Sequence, residues 1–266
     1  MSTGYARAPR SGPRAAVADA LVITGRNLTV LRRLPQLLVF ATIQPVLFVL
    51  MFRYVFGGAI DVPNGSYVDY LMPGIFAQTV AFGAITTGIG LSEDLARGLI
   101  DRFRTLPMAR SAVLAGRTLA DLVRNVGVVE LMVAMGYLVG FRVQTSPLAL
   151  LAAVGLLLLF GFALSWVFAL VGLSVANAES AQAASFPLLF PLVFASSAFV
   201  PTATMPGPLR AFAEHQPVTA VVDAVRALVL GGPTTSLVLV SVAWSLGILA
   251  VAAPLAVRRY RRASGG

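Results

Sequence analysis

The chain has 266 residues, 58% of them hydrophobic and only 12% charged, with a mean hydropathy of +0.84; soluble domains carry about 25% charged residues, so the composition points to an integral membrane protein. There is no cysteine and one histidine, His215, which excludes a disulfide framework and a thiolate or His-cluster metal site. The net charge is +9 and every basic residue is Arg, so the chain has no lysine-bearing phosphate loop, and any ATP it uses must be bound by another chain.

Residues 1–14 are rich in Arg, Pro, Gly and Ser and read as a disordered cytoplasmic tail. Residues 15–34 are amphipathic: Val17, Leu21, Thr24, Leu28 and Leu31 share one helical face, with Asp19, Arg26 and Arg33 opposite. That pattern predicts a helix lying along the membrane surface. Residues 34–56 form the first apolar run, long enough for a core that takes about 20 helical residues. Pro45 lies within it, Gln44 is polar at depth, and Phe48, Phe52 and Phe56 recur every fourth position. A loop at 57–66 leads to a second span near 67–91, whose polar positions are Gln78, Thr79, Thr86 and Thr87.

Residues 92–110, SEDLARGLIDRFRTLPMAR, interrupt the apolar pattern. Ser92 is a candidate N-cap, Glu93 and Asp94 suit a first helical turn, Glu93 and Arg97 form an i,i+4 pair, and Pro107 ends the helix. Leu95, Leu99, Phe103 and Leu106 make its apolar stripe. A third span near 111–141 carries Arg117, Asp121 and Arg124 on one side of its start, where Asp121 can pair with either Arg, and Glu130 deeper. An ionisable residue inside a membrane is costly and is a functional candidate by default, although a polar neighbour can also account for it. A fourth span near 147–176 and a tight turn containing Glu179 follow. The fifth span, near 181–200, carries Phe186, Phe190 and Phe194.

Residues 206–231 predict two short helices, 208–214 and 218–230, rather than a further crossing. In the second, Val218, Val222, Val225 and Val229 share one face and Thr219, Asp223 and Arg226 another. A sixth span near 235–257 ends in RRYRR, and 258–266 form the last tail. Six spans put both termini on one side. Sixteen Arg residues then lie at the cytoplasmic side and four (Arg53, Arg142, Arg210 and Arg226) toward the outside, the asymmetry of a bacterial inner-membrane protein with cytoplasmic termini. Nucleic-acid binding is excluded because no soluble basic domain exists to carry it. The expected fold is therefore all-α and integral to the membrane.

RFRTLPMAR at 102–110 and HQPVTAVVDAVRALVLGG at 215–232 resemble the type-2 ABC transporter permeases, in particular the daunorubicin-resistance branch of drug exporters. The second segment departs from the Asn-Pro or Asn-Gln-Pro start of many members, having His215-Gln216-Pro217. The resemblance implies two permease chains, a homodimer being the simplest case, bound to two separate ATPase subunits that hold ATP and Mg2+. The chain itself would hold no cofactor or metal and have no catalytic residues. It also implies a coupling helix, 92–107, seated on the ATPase, with Glu93, Asp94, Arg97, Asp101, Arg102, Phe103 and Arg104 as its residues and Glu179 as a second contact. A purely structural loop is the competing reading. The resemblance puts the path of a hydrophobic or amphipathic cargo between protomers, for which Gln44, Phe48, Phe52, Gln78, Thr79, Phe186, Phe190 and Phe194 are candidates. Phe at every fourth position is equally explained by lipid or core contact. His215, Asp223 and Arg226 would brace external re-entrant half-helices as an outer gate. Rival readings are a polysaccharide or glycolipid exporter of the same architecture, and a proton-coupled transporter, which would need a repeat or carboxylate relay that the chain lacks.

Overall fold

The computed structural model describes residues 36–56, 66–97 and 110–263, together with Gly25. The expected tail at 1–14, the surface helix at 15–34, the last residues 264–266 and the segment 98–109, with Asp101, Arg102, Phe103 and Arg104, lie outside the described residues. All regular structure among the described residues is helical. The order is α1 (Gln36–Met51), α2 (Tyr67–Ala96), α3 (Arg110–Leu138), α4 (Pro147–Gly172), α5 (Ala178–Phe194), α6 (Gly207–Glu214), α7 (Pro217–Leu230) and α8 (Thr235–Ala263). A π-helical turn, Phe52–Phe56, continues α1.

Three of these helices are long and apolar enough to cross a bilayer: α2, α4, and α8 over Thr235–Arg262. α3 has 29 residues, but Arg117, Asp121, Arg124 and Glu130 dilute its apolarity. α5 has 17 residues, and the apolar part of α1 is the short run Thr42–Val55. Helix starts are set by side chains that accept a backbone N–H which would otherwise lack a partner. Ser66 accepts from Val68, Ser146 from Ala149, Asn177 from Ser180 and Gln216 from Val218.

Ser92 is not such a cap. α2 runs unbroken through it to Ala96, with Arg97 as the C-cap. The Ser92 hydroxyl is buried and donates back to the Ile89 carbonyl at 2.6 Å. Leu91 and Leu95, one turn apart, pack in the same apolar cluster, so nothing between them favours a break. The expected charged helix therefore begins as the last turn of a span.

α2 is the hub of the bundle, with α1, α3, α4, α5 and α7 all packed against it. Its abundant Gly and Ala permit that closeness. The tightest approach is to α4, where a Cβ on Gly88 would strike the Phe168 backbone and a Cβ on Gly172 would strike Gly88 itself. α8 packs on α4 and α7. The predicted valine face of α7 is buried, with Val218, Val222, Val225 and Val229 all in the main core. At one end of the bundle Leu91 of α2, Leu114 of α3, Leu173 just after α4 and Tyr260 of α8 meet in a second core. The charged end of α2, the start of α3, the α4–α5 turn and the C-terminal Arg cluster are thus neighbours.

Candidate functional site

A cleft of about 490 Å3 opens between α1, α2 and α3. On α2 it is lined from Gln78 through Phe82 and Thr86 to Glu93, and on α3 from Val128 through Asn125 and Asp121 to Arg117, with Gln44 and Pro45 of α1 closing one side. The two walls run antiparallel. α2 rises about 1.5 Å per residue, so the cleft extends about 22 Å from Gln78 to Glu93.

The wall between α2 and α3 is an ionic ladder. Arg117 pairs with Asp94. Asp121 accepts from the Thr87 hydroxyl and pairs with Arg124 at 3.0 Å. Arg124 donates to the Thr86 hydroxyl at 2.5 Å and to the Gly83 carbonyl at 2.8 Å. Two glycines make room for it: a Cβ on Gly90 would occupy the space of the Arg117 guanidinium, and one on Gly83 would lie 3.1 Å from Asn125 Oδ1. Gly83 and Gly90 are seven residues apart on α2, as Arg117 and Arg124 are on α3, so both pairs repeat on one helical face every two turns. Asp121 therefore chooses Arg124, and Arg117 is taken by a partner 23 residues away.

Not every group in the cleft is satisfied. Gln78 is 4% exposed and its Oε1 has no donor, and Arg117 Nε is buried with no acceptor. Asn125, 2% exposed, has an unpartnered Nδ2 as well, but that atom faces Gly161 of α4. Buried polar groups are normally paired, and each one left over calls for an explanation.

The candidate cargo residues separate into two sets. Gln44, Gln78 and Thr79 line the cleft. Phe48 of α1, Phe52 of the π-helical turn that follows it, and Phe190 and Phe194 of α5 build an aromatic cluster with Phe199. Phe52 stacks on Phe199 at 4.7 Å, and Phe190 on Phe194 at 4.2 Å. Phe186 meets Phe82, a cleft residue, at 5.9 Å. Sequence reasoning missed Phe82, Asn125 and Phe199; the matched seven-residue spacings of Gly and Arg were the available signal for the cleft wall.

Of the charged candidates, Glu93 pairs with Arg97 as its spacing predicts, at 3.4 Å and exposed. Asp94 is drawn inward to Arg117. Glu179 is exposed in the first turn of α5. Glu130 is exposed on the outward face of α3 with Val123 and Leu131, and has no ion-pair or hydrogen-bond partner among the described residues. No group of three acidic or histidine side chains among the described residues converges as a metal site would require.

At the opposite end, Asp223 and Arg226 of α7 pair at 2.7 Å. Arg226 also donates to the Tyr70 and Ser197 carbonyls, at 3.2 and 2.8 Å, and its guanidinium lies 3.8 Å from the centre of the Tyr70 ring. The Ser197 hydroxyl and the Tyr70 hydroxyl close the network onto Asp223 and the Ser197 carbonyl. His215 is exposed and bonds only locally, its Nδ1 lying 2.9 Å from the Ala211 carbonyl. Nearby, Arg210 donates to Glu214 at 2.6 Å and holds that carboxyl below the usual glutamate range.

The family described as ABC-2 type transporter matches residues 19–230. The chain belongs to the ABC-2 type transporter family. Over 98% of its length and 92% of the relative's, this permease is 34% identical to the daunorubicin resistance ABC transporter permease protein DrrB1 of Streptomyces coeruleorubidus. It is 29% identical to the probable doxorubicin resistance ABC transporter permease protein DrrC of Mycobacterium tuberculosis, over 96% of this chain and 92% of the other. A putative transport permease, ycf38, of Cyanophora paradoxa is 24% identical over 80% of the permease and 74% of its own length. The chain is thus a membrane transport subunit, and the resemblance carried by the two sequence segments extends across almost all of it.

Proposed function

We propose that the permease is the membrane half of an ATP-driven exporter. Two copies associate with two ABC ATPase subunits and move a hydrophobic or amphipathic cargo, of the daunorubicin or doxorubicin kind named for its relatives, out across the bacterial plasma membrane. In this reading α1, α2, α3, α4, α5 and α8 are the six spans, α6 and α7 are the external half-helices, and both termini are cytoplasmic. ATP and Mg2+ are held by the partner.

The observation that carries the reading is the gathering of charge at one end of the bundle. The Leu91–Leu114–Leu173–Tyr260 core brings together the Glu93–Arg97 turn, the α4–α5 turn with Glu179, and Arg258 to Arg262. α2 ends and α3 begins at that end, so the sequence joining them, with Asp101, Arg102 and Arg104, is what a cytoplasmic partner would grasp. Arg117–Asp94 ties the base of that segment to α3, so a push on it moves α2 and α3 together. Cargo then travels along the aromatic cluster of α1 and α5, with Gln44, Gln78 and Thr79 as polar contacts, and the Asp223–Arg226 brace with His215 forms the outer gate.

Charge reversal at Arg102 and Arg104 tests this. Co-purification of the ATPase with a tagged permease falls at least fivefold if the segment couples the subunits. Unchanged assembly and unchanged transport would overturn the assignment.

A further inference from the structure

Four arginines lie toward the outer side of the expected topology, against the bias that keeps Arg inside: Arg53, Arg142, Arg210 and Arg226. Two of them are neutralised, Arg210 by Glu214 at 2.6 Å and Arg226 by Asp223 at 2.7 Å. Arg53 and Arg142 have no carboxylate in ion-pair contact among the described residues, and both lie against one turn of the chain. We infer that this turn, at the bilayer edge where α1 and α3 end, is a binding site for the phosphodiester headgroup of an anionic phospholipid. That the leaflet is the outer one rests on the exporter reading above; the binding does not.

The backbone brings the two guanidiniums to the same place. α3 ends at Leu138, and the chain turns at Gly140 with φ +99°, a conformation that favours glycine. The Arg53 guanidinium, from the π-helical turn after α1, lies on that glycine: a Cβ there would be 3.2 Å from its Nη1. Arg142 folds back on the same turn, its Nη1 donating to the Tyr137 and Phe141 carbonyls at 2.8 Å each. A tyrosine ring flanks each guanidinium, Tyr54 at 5.3 Å from Arg53 and Tyr137 at 5.7 Å from Arg142. Cation–π contacts of this kind hold the planar groups while leaving N–H donors at their edges available.

Charge selects the ligand. Asp69 accepts from the Arg142 backbone N–H at 3.2 Å, so it shares the turn without pairing with either guanidinium. Two arginines and one aspartate leave a single positive charge. A phosphodiester carries a single negative one, and guanidinium forks suit its oxygens. Position selects it further. Asp69 lies in the first turn of α2 and Leu91, of the second core, near its end, about 33 Å apart at 1.5 Å per residue. The patch is therefore at the end of the bundle opposite the charged one, about a hydrocarbon thickness away.

The surface beside the patch separates a lipid from a free anion. Met51 and Leu47 are exposed one turn apart on α1, and Leu138 and Leu131 are exposed two turns apart on α3. From the arginines these positions lead into the hydrocarbon, while Tyr54 and Tyr137 stand exposed at the level of the headgroups. Acyl chains cover such a surface and the headgroup reaches the arginines at its edge. Inorganic phosphate gains nothing from the apolar part; a phospholipid is held at both ends.

The chain has no cysteine, so a bimane fluorophore can be carried on one introduced thiol. Leu138→Cys, at a position 80% exposed, reports beside the patch, and Leu239→Cys, 64% exposed near the start of α8, is the control. The full chain is reconstituted in phosphatidylcholine bilayers containing dibrominated phosphatidylglycerol, phosphatidylcholine or diacylglycerol, and bromine quenching gives the relative association of each lipid. The site predicts that phosphatidylglycerol is favoured over both others at least fivefold at Leu138→Cys and less than twofold at Leu239→Cys. Arg53→Gln with Arg142→Gln should bring the preference at Leu138→Cys below twofold. Asp69→Asn, which removes the negative charge from the turn and keeps its acceptor oxygen, should raise it about twofold. Millimolar inorganic phosphate should leave it unchanged. No preference at Leu138→Cys, an equal preference at both thiols, a preference that survives the double glutamine variant, a fall with Asp69→Asn, or abolition by inorganic phosphate would each overturn the site. No ATPase or transport enters the assay, so its failure leaves the exporter reading standing, and a lipid preference in a chain that binds no ATPase sinks that reading alone.

Discussion

Two Arg–Asp pairs fasten α2 to its neighbours, and they are finished differently. Near the start of α2, Arg226 spends its guanidinium on Asp223, two backbone carbonyls and the Tyr70 ring, and Asp223 also accepts from Ser197. A planar five-donor group is suited to such a junction, and a lysine is not. Near the far end, Arg124–Asp121 is similarly complete, but Arg117 beside it keeps a buried, unpaired Nε and borders a cleft with an unpaired Gln78. The first region has the character of a lock. The second is a wall held open around a space. A closed network of charges resists separation, whereas one with orphans carries the cost of buried, unpaired polar atoms.

That contrast can be broken by substitution. The largest effect is expected at Arg226→Leu, which strands Asp223 and two carbonyls and should cost about 3–5 kcal/mol, read from thermal unfolding of the detergent-solubilised permease. Arg226→Lys should recover only a minority of the loss. Arg124→Leu should cost about 2 kcal/mol by stranding Asp121, and adding Asp121→Asn should return part of it, since the abandoned charge is then gone. Equal losses in the single and double variants would deny that the ladder acts as a pair. Gly90→Ala should cost about 1 kcal/mol by pushing Arg117 off α2, read from the same thermal unfolding. The smallest effect belongs to the exposed Arg210–Glu214 pair. Its depressed carboxyl favours the folded state above the ordinary glutamate range, and that contribution is lost as pH falls through the lowered value. Glu214→Gln should therefore flatten any acid-side slope in melting temperature while leaving the neutral value within error.

Local chemistry made much of this legible in the sequence. The valine face of α7 and its Asp223–Arg226 pair follow from helical spacing alone, as does Glu93–Arg97. The two short helices between α5 and α8 follow from the breaks at Pro208 and Pro217. What spacing could not reveal was partner choice across the bundle. Arg117 and Asp121 are one turn apart, yet Arg117 reaches Asp94 because Gly90 lets the two helices close. Ser92 had the residue type and acidic followers of an N-cap, but burial against the second core outweighed that signal and kept α2 helical. The roles of Tyr70 and Ser197 depend on contacts 26 to 156 residues apart and on backbone carbonyls, which no side-chain pattern encodes.

The most direct measurement is daunorubicin uptake by inverted membrane vesicles carrying the permease and its ATPase. The account predicts uptake that requires hydrolysable ATP, survives collapse of the proton gradient, and disappears with charge reversal at Arg102 and Arg104 while the permease remains in the membrane. Uptake that needs the proton gradient and ignores ATP would contradict it.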